Sequence, residues 1–174
     1  MSKLIIYGSH YGTTKSYAEK LSELTGIKAI SHEDIKDLSA YKMIIHFGGL
    51  YAGGIKGIKD TIKAIDAETE LIIVTVGLAD PTNQENTQNI KETASRQVPK
   101  ELYDKTRFFH LRGGIDYNKL SFIHKTMMKM VYSKVKSIPE DMLKEEDKGF
   151  IETYNKTVNF VDFNSLEPIV QVIS

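Results

Sequence analysis

The sequence predicts an α/β domain built on a doubly wound, five-stranded parallel sheet with helices on both faces. Short apolar runs, several of them closed by glycine, alternate along the chain with segments whose apolar residues have helical spacing. The connections between them are short, as in right-handed crossovers. A length of 174 residues suits one domain, so we expect a single domain over residues 1–174.

Five apolar runs predict the strands, at residues 4–7, 27–30, 41–47, 71–76 and 107–111. Between these runs, helical spacing predicts helices at residues 14–24, 55–65 and 84–95. Runs that are apolar on both faces are typical of parallel strands buried under two layers of helices.

The composition excludes several classes of function. Twenty-three basic residues balance twenty-three acidic ones, so no overall field attracts nucleic acid. The absence of cysteine excludes a disulfide framework, a thiolate zinc site, an iron–sulfur cluster and a cysteine nucleophile, and no other metal site is predicted. No signal peptide or membrane-spanning segment is evident. We therefore expect a cytoplasmic protein, with a peripheral position on the inner membrane face as a second option.

Two loops that leave the carboxyl ends of predicted strands have the composition of ligand loops. The first comprises Ser9, His10, Tyr11, Gly12, Thr13 and Thr14. Its hydroxyls and backbone N–H groups at a helix N-terminus suit a phosphate, although the same residues could simply form a turn and cap the helix. The second comprises Gly49, Leu50, Tyr51, Ala52 and Gly53. Glycine allows close backbone approach there, and Tyr51 could stack on a planar ligand.

The third loop, with Gly77, Leu78 and Ala79, is unremarkable on its own. Its N–H groups could bond the carbonyls of a heterocycle. Because the carboxyl ends of parallel strands share one edge of the sheet, the three loops together predict a phosphate site beside a stacking site.

These loops resemble those of flavodoxin-type FMN-binding domains. Ser9, Gly12 and Thr14 match the Ser/Thr-x-Thr-Gly-x-Thr phosphate loop of that family, whereas His10 and Tyr11 replace its usual small residues. The Tyr51 loop resembles the one that places an aromatic ring against the flavin, and residues 75–79 resemble the loop at its pyrimidine end. The resemblance implies FMN as the cofactor, bound by the three loops.

The rest of the chain resembles one branch of that family, which contains menaquinone-dependent protoporphyrinogen dehydrogenase. The similarity lies in residues 107–117, the methionine-rich segment that follows, and residues 157–163. In that branch a long helical insertion splits the fifth strand. Here it implies an insertion at about 112–156, a second half-strand at 157–163 beside residues 107–111, and a last helix at 165–173.

Residues 117–136 predict a basic amphipathic helix within this insertion. Between residues 112 and 136, six basic residues face one acidic residue, Asp116. Apolar side chains share one face, formed by Leu120, Ile123, Met127, Met130, Val131 and Val135. This face could pack on its own domain, lie on an anionic membrane surface, or offer a methionine-rich groove to a redox protein partner.

The first functional hypothesis is an FMN-dependent oxidoreductase that passes electrons from a porphyrinogen-type substrate to a quinone. FMN would supply the redox chemistry itself, so no catalytic residue is predicted, and His10 fits a proton donor and a surface residue equally well. The alternative is a non-enzymatic electron carrier, although dedicated flavodoxin carriers are acidic and this chain is neutral. A module that has lost its flavin is a third option.

Overall fold

The computed structural model describes residues 2–51 and 54–174. Its main sheet contains β1 (Lys3–Gly8), β2 (Ala29–Ser31), β3 (Met43–Tyr51), β4 (Gly54–Ile55), β5 (Glu70–Gly77) and β6 (Arg107–Arg112). Five of these strands run parallel in the order β2-β1-β3-β5-β6, and β4 is antiparallel to the end of β3. The predicted doubly wound α/β fold is confirmed.

Seven α-helices occupy the described part of the chain: α1 (Thr13–Thr25), α2 (Ile58–Ala64), α3 (Gln84–Ser95), α4 (Lys100–Tyr103), α5 (Phe122–Lys136), α6 (Glu145–Thr153) and α7 (Glu167–Ile173). Alternate residues of the buried strands point to opposite layers of the core. On β1, Ile5 packs with α1 and α7, while Leu4 and Ile6 pack on the other face with α2 and α3. None of the helices in the described ranges combines the length and apolar character needed to cross a bilayer.

The second predicted helix starts later than its apolar spacing suggests. Residues 55–65 were expected to be helical, but Ile55 pairs with Leu50 in a short antiparallel ladder. Gly57, with φ of 78°, forms the N-cap of α2. The chain therefore turns at 56–57 before the helix begins, and residues 54–57 join the end of β3 rather than α2.

The insertion forms a small sheet of its own. β7 (Gly114–Asp116) pairs with β8 (Thr157–Asn159), and the two strands are antiparallel. The expected second half-strand beside residues 107–111 is therefore wrong. The chain returns from α6 toward the point at which it left the main sheet, so its returning strand runs against β7.

Tyr17 on α1 holds both ends of the insertion together. Its buried hydroxyl donates to the carbonyl oxygen of Arg112 at 2.7 Å and accepts the N–H of Asp162 at 3.0 Å. Beside it, the N–H of Phe160 donates to the carbonyl oxygen of Gly113 at 3.0 Å. The insertion thus leaves and rejoins the core at one place, next to the helix that follows the first ligand loop.

Candidate functional site

A cavity of about 340 Å³ lies at the carboxyl ends of the central strands. This volume falls within the range of roughly 300–1,000 Å³ that is typical of small-molecule sites. Its walls are mostly apolar and come from all three predicted ligand loops and from the insertion. The site is therefore on the edge of the sheet at which ligands of doubly wound folds bind.

The first loop delivers the N-terminus of α1 to this cavity. Gly12 is the N-cap of α1 with φ of 96°, and no side chain caps the helix. Its own N–H donates to Ser9 Oγ at 3.1 Å. A Cβ atom at Gly12 would meet no atom of the described residues within 4 Å. The first-turn N–H groups of α1 and the positive end of its dipole therefore form an open place for an anion.

Tyr51, a residue of the second loop, connects that loop to the first one. Its hydroxyl oxygen accepts the backbone N–H of His10 at 2.9 Å, and burial raises its pKa, so the phenol is protonated at neutral pH. A Cβ atom at Gly49 would lie 2.7 Å from the Tyr51 ring and 3.0 Å from Thr14 Oγ1. Glycine at this position thus lets the tyrosine and the phosphate loop pack together.

Buried contacts fix the strand segment that follows Tyr51. The N–H of Ile55 donates to Gln97 Oε1 at 2.6 Å. The ring of His46, in β3, lies 3.0 Å through Nε2 from the carbonyl oxygen of Lys56 and 2.9 Å through Nδ1 from Thr61 Oγ1. A carbonyl can only accept, so Nε2 carries the proton and Nδ1 accepts the Thr61 hydroxyl. Burial of this ring lowers its pKa to about 4.

The third loop is held from behind by the end of β6. The carbonyl oxygen of Gly77 accepts the N–H of Gly113 at 2.7 Å, and the Arg112 guanidinium donates to the carbonyl oxygen of Leu78 at 3.0 and 3.1 Å. The carbonyl groups of Gly77 and Leu78 are therefore hydrogen-bonded to Gly113 and Arg112.

Helix α5 of the insertion forms the outer wall of the cavity, with Leu120, just before it, and His124, Met127 and Met128. The Tyr11 hydroxyl bonds His124 Nδ1 and accepts the N–H of Ser121 at 3.3 Å. The first ligand loop is thereby linked to the start of α5, more than a hundred residues along the chain.

The strand order is one of the common orders of doubly wound folds. A family model described as a flavodoxin domain matches residues 4–141, which is well over half of the chain. The chain belongs to the flavodoxin domain family. The predicted family membership is confirmed at this level, and no curated protein matches the chain.

Solved structures similar to this flavodoxin domain are distant. A flavoprotein in complex with FMN from Lactobacillus acidophilus NCFM has 15% identity, covers 64% of this chain and 91% of its own, and gives a TM-score of 0.41. A cysteine-to-serine mutant of flavodoxin from Pseudomonas aeruginosa has 16% identity, with coverage of 77% and 95% and a TM-score of 0.41.

The flavodoxin domain brings most of the predicted site residues together. Those that line the 340 Å³ cavity are Tyr11, Thr13, Thr14, Gly49, Leu50, Tyr51, Gly77 and Leu78. Ser9 and Gly12 form the turn before α1, and Ala79 lines a neighbouring cavity with Asp80 and Arg112. Ala52 and Gly53 lie outside the described residues.

A second cavity, of about 390 Å³, adjoins the first and shares Tyr51 and His124 with it. Lys56 Nζ lies 3.1 Å from His10 Nδ1, and the His10 and His124 ring centroids are 4.7 Å apart. Among the described residues, the others that line this cavity are Gly54, Ile55 and Gln97, none of which carries a carboxylate. Burial, then the charges of Lys56 and His124, lower the pKa of His10. The Lys56 ammonium gives this basic cluster (His10, Lys56 and His124) a positive charge that favours an anionic group.

Sequence reasoning missed Lys56, Gln97 and His124. Lys56 and Gln97 carry no motif, and they reach the site through the β3–β4 ladder and the end of α3. For His124 a signal existed, because Leu120, His124 and Met128 follow one another at four-residue spacing and would share one side of the predicted helix at 117–136.

Proposed function

We propose that this flavodoxin domain is an FMN-dependent oxidoreductase whose cofactor occupies the 340 Å³ cavity. The observation that carries the proposal is the junction of this apolar cavity with the uncapped N-terminus of α1. The arrangement offers one end to a phosphate and the other to a flat, largely apolar ring. When bound, FMN would supply the hydride and one-electron chemistry.

The residues present fit this cofactor. The first loop already directs an amide at an oxygen acceptor, since the His10 N–H donates to the Tyr51 hydroxyl. Ser9, Thr13 and Thr14 add hydroxyls at the same helix end. Leu50 and Leu78 supply apolar wall for the ring, and the Tyr51 side chain lines the same space.

The wall formed by α5 favours an enzyme over an electron carrier. A carrier presents the edge of its flavin to a protein partner, whereas here Leu120, His124 and Met128 line the cavity that would hold the cofactor. The wall would give a small substrate a surface to lie on next to the cofactor. Dedicated carriers are also acidic, and this chain has a net charge of zero.

We propose further that the substrate is a porphyrinogen-type molecule and the acceptor a quinone. A porphyrinogen-type substrate carries carboxylates on a large apolar ring, and the basic cluster next to the apolar cavity suits that combination. Each two-electron, two-proton oxidation of the porphyrinogen would reduce one quinone to the quinol. A cytoplasmic location, which the cysteine-free sequence fits, belongs to this proposal.

The test begins with an absorbance and fluorescence titration of the purified protein with FMN. Protoporphyrinogen and a menaquinone analogue are then supplied without oxygen. Bound flavin with turnover supports the enzyme, bound flavin without turnover favours the electron carrier, and no bound flavin refutes the cofactor assignment.

The basic cluster is tested in the same assay with Lys56→Ala. We expect the KM for the carboxylated substrate to rise by about 10- to 150-fold, because a charge-assisted hydrogen bond contributes about 1.5–3 kcal/mol, with FMN affinity little changed. Lys59→Ala is the matched control, since this exposed lysine lies outside both cavities. Equal KM values for the two variants would contradict the role of Lys56.

A further inference from the structure

Helix α5 exposes a broad apolar face to solvent. The exposed fractions are 84% for Phe122, 70% for Ile123 and 68% for Met130, and Met127 and Val131 are also exposed. Such a contiguous apolar surface on a soluble domain marks a site of interaction. Of the three alternatives for the predicted apolar face, packing on its own domain does not hold for Ile123, Met130 and Val131.

The helix is nevertheless firmly seated through its other side. His124, Met128, Tyr132 and Val135 follow a stripe that faces the domain. His124 and Met128 line the cavity, and the Tyr132 ring stacks on Tyr154 of the loop after α6, with centroids 3.9 Å apart. Because these four residues already pack α5 against the domain, the exposed apolar face is not needed to hold the helix in place.

Lysines border the exposed face. At 100° per residue, Lys125, Lys129 and Lys136 lie between the inner stripe and Phe122, and Lys134 lies within the apolar face. Residues 117–136 contain five lysines and no acidic residue, although the whole chain is neutral. Positive charge is thus concentrated around a helix that presents several large apolar side chains to solvent.

We propose that α5 docks the protein onto an anionic membrane surface. Phe122, Ile123 and Met130 enter the boundary between headgroups and acyl chains, and the bordering lysines bind lipid phosphates. Lysine charge beside aromatic and aliphatic side chains is the combination by which helices lie in a bilayer interface. A protein groove would need its own acidic rim to match these lysines, whereas an anionic bilayer offers that charge everywhere.

Docking in this orientation brings the cavity to the lipid. Met127 both lines the 340 Å³ cavity and is exposed beside Ile123 on the docking face. A lipid-soluble redox partner would therefore reach the cavity along α5. That last step rests on the proposed function, whereas membrane docking itself does not depend on the cofactor.

The test is co-sedimentation with vesicles of phosphatidylcholine alone or mixed with phosphatidylglycerol, at low and high salt. We expect binding to the phosphatidylglycerol vesicles at low salt and little binding to phosphatidylcholine. Lys125→Glu/Lys129→Glu/Lys136→Glu should weaken binding by at least about tenfold, because each lysine near an anionic surface strengthens binding roughly fivefold. The matched control, Lys36→Glu/Lys59→Glu/Lys63→Glu, changes charge equally on exposed residues away from α5 and should bind nearly as the unmodified protein does.

The apolar part is tested with Phe122→Ser/Ile123→Ser/Met130→Ser, which alters exposed side chains only. We expect this variant to keep the circular dichroism of the unmodified protein and to lose vesicle binding. The proposal fails if the unmodified protein ignores phosphatidylglycerol vesicles, or if both α5 variants bind as well as it does. A dimer in solution that dissociates in the serine variant, without vesicle binding, would instead assign the face to a second copy.

Discussion

His46 makes the segment that follows the second ligand loop sensitive to acid. The ring is buried in β3, with its Nε2–H on the carbonyl oxygen of Lys56 and the hydroxyl of Thr61 on its Nδ1. Burial lowers its pKa to about 4, and the hydrogen bond to Lys56 offsets only part of that effect. The imidazole is therefore neutral in the folded protein under conditions in which the unfolded chain would already be protonated.

The size of the effect follows from the two pKa values. The pKa is about 4 in the folded protein and 6.5 in the unfolded chain. Above pH 6.5 both states are neutral and His46 costs nothing. As the pH falls, the unfolded state binds the proton first, so the free energy of unfolding decreases until about pH 4, by roughly 3 kcal/mol in all. Between pH 7 and pH 5 we expect a loss of about 2 kcal/mol from this residue.

The assay is urea unfolding followed by circular dichroism at pH 7 and pH 5. Burial also lowers the pKa of His110 and of His10, so the comparison is between the unmodified protein and His46→Gln. Glutamine can donate to the Lys56 carbonyl but does not titrate. The unmodified protein should lose about 2 kcal/mol more than the variant. Equal losses would refute the assignment of a buried, neutral His46.

Two further predictions concern the phosphate loop and the base of the insertion. Gly12→Val should abolish FMN binding, measured by quenching of FMN fluorescence, because the added bulk blocks the approach of a phosphate to α1. Gly26→Val, at the other end of α1, is the matched control: both glycines have positive φ in open space, so both variants should lose about 1–2 kcal/mol of stability. If Gly12→Val binds FMN normally, the phosphate-loop assignment is wrong. Tyr17→Phe should lower the free energy of unfolding by about 1–3 kcal/mol, because Arg112 and Asp162 lose their partner, and urea unfolding that shows no change would contradict this.

The central sheet and the meeting of the three loops could be predicted from the sequence. Runs such as residues 71–76 are short, apolar on both faces and rich in β-branched residues, a pattern typical of a strand covered on both sides. Once the strands are parallel, their carboxyl ends must share an edge of the sheet. The proximity of Thr14, Tyr51 and Gly77 can therefore be predicted without knowing any side-chain contact.

The insertion could be predicted only in part. Helical spacing predicts a helix over residues 117–136, whereas the structure has a 3₁₀ turn at 117–119 and α5 only over 122–136. The spacing also cannot say which side of the helix meets the domain. The seated side depends on distant partners, such as Tyr11 for His124 and Tyr154 for Tyr132. The direction of the returning strand likewise depends on where the chain rejoins the core, and no local pattern in residues 157–163 contains that information.

The way the insertion is attached has a consequence for how this protein can evolve. The Tyr17 hydroxyl bonds both Arg112 and Asp162, so the two ends of the segment 113–161 are held next to each other at the surface of the core. A segment whose two ends are fixed side by side can change in length or in its outer surface without shifting a strand of the main sheet. Substitutions can therefore change the surface that α5 binds while the loops that would hold the cofactor keep their structure.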